Sequence, residues 1–306
     1  MRVIILSART GWHTDELCRA LSVRGHTACV LPYEGLTTRF AQGCSVTSEA
    51  VPVLEADAVL ARIIPNGSLD QIIFRVDLLH WLEQRGMVVM NTARAIERSV
   101  DKFMTTALLH QAGLPTPETV VCERVADAMD AVRAMGDVVI KPLFGSMGHG
   151  LVRVSDPDVA FRVVRTLEQI RAVFYVQRVI QHDGRDVRVF VVGGRVLGAI
   201  ERTAVKGDWR TNVSRGGAAH PFTLPPAWAE LAIRAAATVG ADYAGVDLLP
   251  STDGGVFVLE VNGIPGWEGL QRATGLDVAG SVVDHLARRV ARTIPSSLST
   301  LATPTS

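Results

Sequence analysis

Two short stretches of this 306-residue chain concentrate side chains able to do chemistry. The first is Lys141 followed by Gly145-Ser146-Met147-Gly148-His149-Gly150. Residues 137–141 and 151–154 read as strands, so the glycines form a GxxGxG loop between them. That spacing fits neither the GxxxxGK[ST] phosphate loop nor a GxGxxG that opens a helix. A glycine loop joining antiparallel strands can fold over a triphosphate and offer main-chain N–H groups. It can equally be a hairpin loop without a ligand. The adjacent lysine favours phosphate, because an inward-facing ammonium is costly unless an anion pairs with it. The second stretch pairs Asp247 in GVDLL with Glu260 and Asn262 in VLEVN. Glu260 and Asn262, two apart on a strand, share one sheet face, and Asp247 can lie opposite. Two carboxylates and an amide oxygen suit Mg²⁺ or Mn²⁺ bridging phosphates and do not suit zinc. Polar residues on the exposed face of an edge hairpin would show the same alternation.

A third set is more diffuse. Asp186, Arg188, Arg202, Arg210, Asn212 and Arg215 follow one another through a hairpin and its trailing loop. Arginines alternating on a strand can line a cleft and hold phosphate or carboxylate bidentately. Scattered arginines are otherwise ordinary solvated surface. The chain has neither an HExxH pair nor a GxSxG elbow, so hydrolase chemistry has little support. Trp209 and Trp267 read as core or loop packing.

The elements that must position these groups follow two grammars. Over the first hundred residues strands and helices alternate: strands at 3–6, 28–31, 58–64 and 87–90, helices from Thr14 and after Ser68. Ser68-Leu69-Asp70-Gln71 has capping-box form, and Ile72, Val76, Leu79 and Leu82 repeat at helical spacing. This predicts a parallel α/β layer. Beyond residue 97 the order changes. A helix is expected from Ser99 to about Gln111, with others over 156–170 and 226–239. Strands are expected at 137–141, 151–154 and 173–177, with hairpins over 186–202 and 243–262. The tail TIPSSLSTLATPTS reads as disordered.

Composition narrows the classes. At 48% hydrophobic and 20% charged the chain is globular, and its 31 basic and 31 acidic residues cancel. A dedicated nucleic-acid binder would concentrate positive charge, so none is expected. Cys18, Cys29, Cys44 and Cys122 show no CxxC spacing, against a structural zinc or a disulfide scaffold. No stretch is long and apolar enough for a signal peptide or a membrane helix, so a soluble cytoplasmic protein without a membrane partner is the default. Of the 31 basic residues only Lys102, Lys141 and Lys206 are lysine.

Taken in order, the strings ERSVDK, GLPTPET, VVIKPLFGSMGHG, DVRVFVVGGRV, AIERTAVKGDWRTNVSRGG, AGVDLL and VLEVNGIPGWEGLQRATGLD resemble the ATP-grasp superfamily, and within it the RimK-type glutamate ligases. The resemblance implies an N-terminal parallel α/β pre-ATP-grasp domain (1–96) and a two-part ATP-grasp fold, split as 97–174 and 175–292, before a tail at 293–306. It implies that Lys102 and Lys141 hold ATP phosphates below a mobile loop comprising Gly145, Ser146, Gly148 and Gly150. Gln177, Arg178, Val179 and Ile180 match the segment that reads adenine, Asp186 an acid near the ribose, and Arg210 and Asn212 a nucleotide- and phosphate-facing pair. Asp247, Glu260 and Asn262 match metal ligands, expected to hold two Mg²⁺ or Mn²⁺ ions. Arg188, Arg202, Arg210 and Arg215 match positions around the transferred phosphoryl and the acceptor carboxylate.

The implied activity is ATP-dependent ligation through an acylphosphate, releasing ADP and phosphate. An amino acid, L-glutamate foremost, is joined to a carboxylate acceptor: a tetrahydromethanopterin-type pterin or a protein C-terminus. A homodimer or homotetramer is the family's habit. Dipeptide or amino-group-carrier ligation on the same fold, or ATP binding without catalysis, are the alternatives. The chain departs from the pattern at Arg178, where an acid is common, at Met147 and His149 in the loop, and at Gly263-Ile264-Pro265-Gly266-Trp267.

Overall fold

The computed structural model describes residues 1–145, 150–204 and 218–293. The described chain divides into two compact units: Met1–Arg94 together with the chain from Asp277 onward, and Ala95–Leu276. No helix among the described residues is long and apolar enough to cross a membrane.

The first unit is built on β1 (Arg2–Leu6), α1 (Trp12–Val23), β2 (Thr27–Leu31), β3 (Leu36–Phe40), β4 (Cys44–Ser48), β5 (Val51–Pro52), β6 (Ala58–Ala61), α2 (Leu69–Gln84) and β7 (Val88–Met90). Strands β2-β1-β6-β7 form one sheet in that order, every pair parallel. Parallel strands covered on both faces need continuous apolar runs, and Val3 to Leu6 and Ala58 to Ala61 are fully buried. The capping box forms as read: Ser68 Oγ accepts from Gln71 N–H at 3.3 Å and Gln71 Oε1 from Ser68 N–H at 2.9 Å. Helix α1 starts two residues before the expected Thr14, because Thr14 Oγ1 accepts the Gly11 N–H at 2.8 Å from inside the first turn. The antiparallel sheet β3-β4-β5 has no counterpart in the sequence reading. Its strands TTRF and CSVTS carry mostly polar side chains and bury only Leu36, Val46 and Ser48, so no apolar run announces them.

Helix α3 (Ala93–Val100) leads into the second unit. The single helix expected from Ser99 is in fact two: α4 (Lys102–Gln111) starts afresh at Asp101, whose extended backbone interrupts the helix. Asp101 Oδ1 caps α4 by accepting the Met104 N–H at 3.1 Å. Then come β8 (Thr119–Cys122), α5 (Val125–Met135), β9 (Val138–Lys141), β10 (Val152–Val154), α6 (Pro157–Gln169) and β11 (Phe174–Arg178). Their strands form an antiparallel sheet, β10-β9-β11-β8. Val138, Ile140, Phe174 and Val176 on one face pack with Ala128, Val132, Ala160 and Val164 of the two helices. Strand β11 was expected to open the second half of the ATP-grasp region at residue 175. Its pairing with β9 and β8 keeps it in this sheet.

The second sheet of this unit comprises β12 (Arg185–Val192), β13 (Arg195–Thr203), β14 (Ala218–Pro221), β15 (Tyr243–Pro250) and β16 (Val256–Asn262), in the order β14-β13-β12-β15-β16. Its inner face (Val187, Val189, Val191, Ala244, Val246 and Leu248) packs against α7 (Pro226–Val239) and Leu109 of α4. Each such aliphatic side chain contributes roughly 1.5–3 kcal/mol on burial. A short α8 (Glu268–Thr274) follows.

The last helix, α9 (Val278–Thr293), belongs to the first unit, against the expectation that residues 175–292 form one body. Val278, Val282, Val283, Leu286 and Val290 recur at three- and four-residue spacing and are buried. Arg19 of α1 and Arg24 at its C-cap reach Asp277 at 2.8 Å and Asp284 at 2.6 Å. The amphipathic period needed a partner, and α1 and β7 provide it.

Candidate active site

One face of the five-stranded sheet looks into the apolar core, so alternation obliges the other face to carry whatever is polar. Along β12 that face presents Asp186 and Arg188. Asp186 is paired with Arg202 on β13, and Arg188 with Asp247 on β15. Asp247 in turn stands opposite Glu260 on β16, and Gly245 opposite Asn262. The register shifts just after Asp247, with Leu259 as the extra residue. Such a bulge breaks the alternation locally. Val258 and Val261 can therefore both reach the core while Glu260 and Asn262 keep the polar face.

Four of these residues form a continuous charge chain. Arg202 Nε and Nη2 donate to both oxygens of Asp186 at 2.7 and 2.6 Å, and Nη2 also reaches Asp247 at 2.9 Å. Arg188 Nε and Nη2 donate to the two oxygens of Asp247, each at 2.7 Å. Burial alone would raise the Asp247 carboxyl. The guanidinium groups of Arg188 and Arg202 outweigh it and hold the group down to about 2. Asp247 and Asp186 in turn hold Arg202 above its ordinary value despite its burial.

The four-stranded sheet contributes a second polar face. Lys141 on β9 pairs with Tyr175 on β11, and Gln177 with Thr119 on β8, so all four share a side. Lys141 Nζ donates to Gln177 Oε1 at 2.6 Å. Gln177 Nε2 donates to Thr119 Oγ1 at 2.9 Å and to the Tyr175 hydroxyl at 3.2 Å, which lies 2.7 Å from Thr106 Oγ1. Burial lowers the Lys141 ammonium to about 8; Glu260 raises it and Lys102 adds to the lowering. Lys102, at the start of α4, donates to the Gly145 carbonyl at 2.8 Å, and its ammonium is likewise lowered by burial against the pull of Glu260 and Asp101. Both lysines thus feel the carboxylate of Glu260, which links the two polar faces within one unit. Past Lys141 the chain turns back at Gly150, where φ is +74° and a Cβ would stand 3.2 Å from Pro142 Cγ. Only glycine fits there without strain.

Several expected residues meet in this arrangement: Lys102, Lys141, Gly145, Gly150, Gln177, Asp186, Arg188, Arg202, Asp247, Glu260 and Asn262. Three stand differently from the roles foreseen. The Gln177 side chain, 4% exposed, is turned to Lys141, so adenine reading by that amide is not what its contacts serve. Arg178 donates to Glu118 at 2.6 and 2.8 Å and to the Met135 carbonyl at 2.8 Å, which commits its side chain to the sheet edge and the end of α5. Asp186 has each oxygen engaged by Arg202, so its first contacts serve that ion pair. The Val179 N–H is bonded to Asp137 O at 3.0 Å. Ser146, Gly148, Arg210, Asn212 and Arg215 lie outside the described residues, with Met147, His149, Lys206 and Trp209. Trp267 is core, edge-on to Phe190 at 6.2 Å.

Sequence reasoning missed Tyr175, Thr106 and Thr119, which bracket Lys141 and Gln177; the alternation of FYVQ against PTPET was the available signal. It also missed the anchor of residues 179–184. The Gln181 carbonyl accepts from Thr252 N–H at 2.9 Å and from Ser251 Oγ at 3.2 Å, so the β15–β16 turn holds that segment. Among the described residues no cluster of three His, Cys, Asp or Glu side chains suits a metal. The oxygen set is the mixed one of two carboxylates and an amide, Asn262 Oδ1 also accepting the Ile264 N–H at 3.0 Å.

Comparison with known proteins gives these shapes a context. Residues 99–286 match the family described as RimK-like ATP-grasp domain. A tetrahydromethanopterin:alpha-L-glutamate ligase of Methanosarcina acetivorans is 36% identical over 277 residues, spanning 79% of this chain and 86% of that protein. A protein named probable alpha-L-glutamate ligase in Trichodesmium erythraeum is 33% identical over 296 residues, covering 95% and 98% of the two chains. Among solved structures, the ATP-grasp ligase PsnB with minimal precursor, Mg and ADP superposes with a TM-score of 0.73 at 21% identity, covering 95% of this chain and 98% of that one.

Proposed function

Because this chain belongs to the RimK-like ATP-grasp family and is an ATP-grasp ligase, we propose that it joins an amino acid, L-glutamate foremost, to a carboxylate acceptor. The observation that carries this reading is the facing of two polar surfaces: Lys102 and Lys141 on one side, Asp247, Glu260 and Asn262 on the other. The acceptor carboxylate attacks the γ-phosphate of ATP, forming an acylphosphate and ADP; the amine then displaces phosphate to give the amide. No side-chain nucleophile is required. Lys141 and Lys102 bind the phosphates as compact charges, and Asp247, Glu260 and Asn262 hold Mg²⁺ or Mn²⁺, two ions in all. An all-oxygen set fits such hard cations, and a metal held there would supply charge neutralisation to the transferring phosphoryl group.

Adenine is read by main-chain groups of the Arg178-to-Ile180 segment other than the N–H groups of Arg178 and Val179, which bond Glu118 O and Asp137 O, since the Arg178 side chain is engaged with Glu118. Arg210, Asn212 and Arg215 complete the phosphate and acceptor contacts. The glycine loop at residues 145–150 covers the acylphosphate and keeps water from it. The acceptor is a small carboxylate of the tetrahydromethanopterin type, a reading supported by the Methanosarcina relative and by the Gly263-to-Trp267 departure.

The test is a phosphate-release assay with each of the twenty amino acids against candidate carboxylates, products read by mass spectrometry. ADP and phosphate are expected only when acceptor and amino acid are both present. Formation of AMP and pyrophosphate would exclude the acylphosphate route.

A further inference from the structure

We propose that Arg188 is a latch on Asp247 which the divalent cation must open, so that the acceptor or phosphoryl contact the resemblance gives Arg188 becomes available only once the metal has bound. The inference rests on the reading of Asp247 as a metal ligand and adds an order of events to it. In the structure both Asp247 oxygens are engaged by Arg188 at 2.7 Å. A cation that chelates Asp247 on that edge needs the lone pairs that Arg188 fills, so the two compete for it, whereas Arg202 Nη2 bonds Oδ2 alone, at 2.9 Å, and leaves Oδ1 to the cation.

The two arginines on Asp247 are not equivalent. Arg202 has a side chain 4% exposed and is held on both nitrogens by Asp186, so withdrawing it would strand a second buried carboxylate. Arg188 is 20% exposed, and Asp247 is its only ion-pair partner among the described residues. Its departure strands nothing else. Gly245 assists: a Cβ there would lie 3.7 Å from Arg188 Cδ and Nε and 3.2 Å from Pro265, so the absent side chain leaves the arginine stem free to move over the strand.

Charge accounting supplies the sequence. Without cation, two arginines and two aspartates balance. Once the cation takes Asp247, the Asp186–Arg202 pair persists and Arg188 is a surplus positive charge at the edge of the metal site. An anionic acceptor group meets that charge only after the metal nucleotide has bound. Premature acceptor binding is thereby disfavoured.

The experiment uses the full chain with ADP, Mn²⁺ as the metal probe read by electron paramagnetic resonance, and inorganic phosphate as the anion probe. Arg188→Gln is expected to tighten Mn²⁺ binding by at least about tenfold, since the competitor for Asp247 is gone. Arg188→Lys, which keeps a charge but lacks the planar fork that holds both oxygens in parallel, falls between the variant and the wild type. Wild-type protein binds phosphate more tightly with Mn²⁺ and ADP than without, and Arg188→Gln loses that increment. Mn²⁺ affinity in Arg188→Gln equal to or weaker than wild type overturns the latch, as does an undiminished phosphate increment. Should Arg188→Gln fail to fold, an Arg188→Lys protein with wild-type Mn²⁺ affinity overturns it equally. Asp247→Asn separates this failure from that of the underlying reading: retained wild-type Mn²⁺ binding there removes Asp247 as a ligand altogether.

Discussion

Lys141 is a cation held where cations are disfavoured, and that has a measurable consequence. With its ammonium lowered to about 8 by burial, the free protein sheds this proton as pH rises through that value. A bound triphosphate favours the charged form, so nucleotide binding takes up a proton above it. ATP affinity should therefore be flat well below pH 8 and weaken above it, with Glu260 and Lys102 as the neighbouring charges. Calorimetric ATP binding across pH checks this, and in Lys141→Met the alkaline weakening should vanish while affinity drops about 10- to 100-fold. On the facing surface, Glu260→Ala should abolish turnover without unfolding the chain, since Glu260 makes no ion pair among the described residues; wild-type turnover would remove it from the site. The types and strand positions of Lys141, Asp247, Glu260 and Asn262 were legible in the sequence because alternation assigns faces. The partners of Gln177, Asp186 and Arg178 were not. Which neighbour a polar side chain takes depends on sheet register, and one-residue spacing does not reveal it.

Elements set where these residues stand, and their ends matter more than their middles. Asp101 both ends one helix and caps the next, placing Lys102 in the first turn of α4. Asp101→Ala should cost about 1 kcal/mol in denaturant unfolding and raise the KM for ATP as the first turn frays; an unchanged KM would detach the cap from Lys102 positioning. Helices and buried strands were readable from period and capping signals: Ser68 with Gln71, Gly240 after α7, and the apolar runs of β1 and β6. The break at Asp101 was not separated from its neighbours, because ERSVDKFMTTALLH keeps helical composition throughout. The sheet β3-β4-β5 escaped for the opposite reason, its strands being mostly polar with only Leu36 and Val46 as buried apolar residues.

At the scale of the whole molecule, the balanced charge hides local pairing: Glu260 acts on both Lys102 and Lys141, and Asp186 and Asp247 are matched by Arg202 and Arg188. We propose that the first unit serves as the pre-ATP-grasp domain with α9 as an integral part. A chain ending at Leu276 lacks the buried stripe Val278, Val282, Val283 and Leu286 and should leave the surfaces of α1 and β7 that it covers exposed. Limited proteolysis is expected to cut within residues 1–94 first, while 95–276 stays protected. Equal resistance of both would separate α9 from the stability of the first unit. The sequence reading placed no helix over 278–293, although valines and leucines recur there at helical spacing. Its allegiance was hidden as well, because a stripe of valines and leucines says that a helix needs a partner and does not say which one.

That allegiance bears on how the polypeptide is made. Arg19 and its partner Asp277 are 258 residues apart, so a ribosome completes every residue of the second unit between them. During that interval α1 and β7 are without the helix that covers them, an exposed apolar surface of the kind chaperones hold. The second unit is contiguous and can finish first. The first unit closes only when the residues of α9 arrive, so its folding waits on the last described helix while that of the second unit does not.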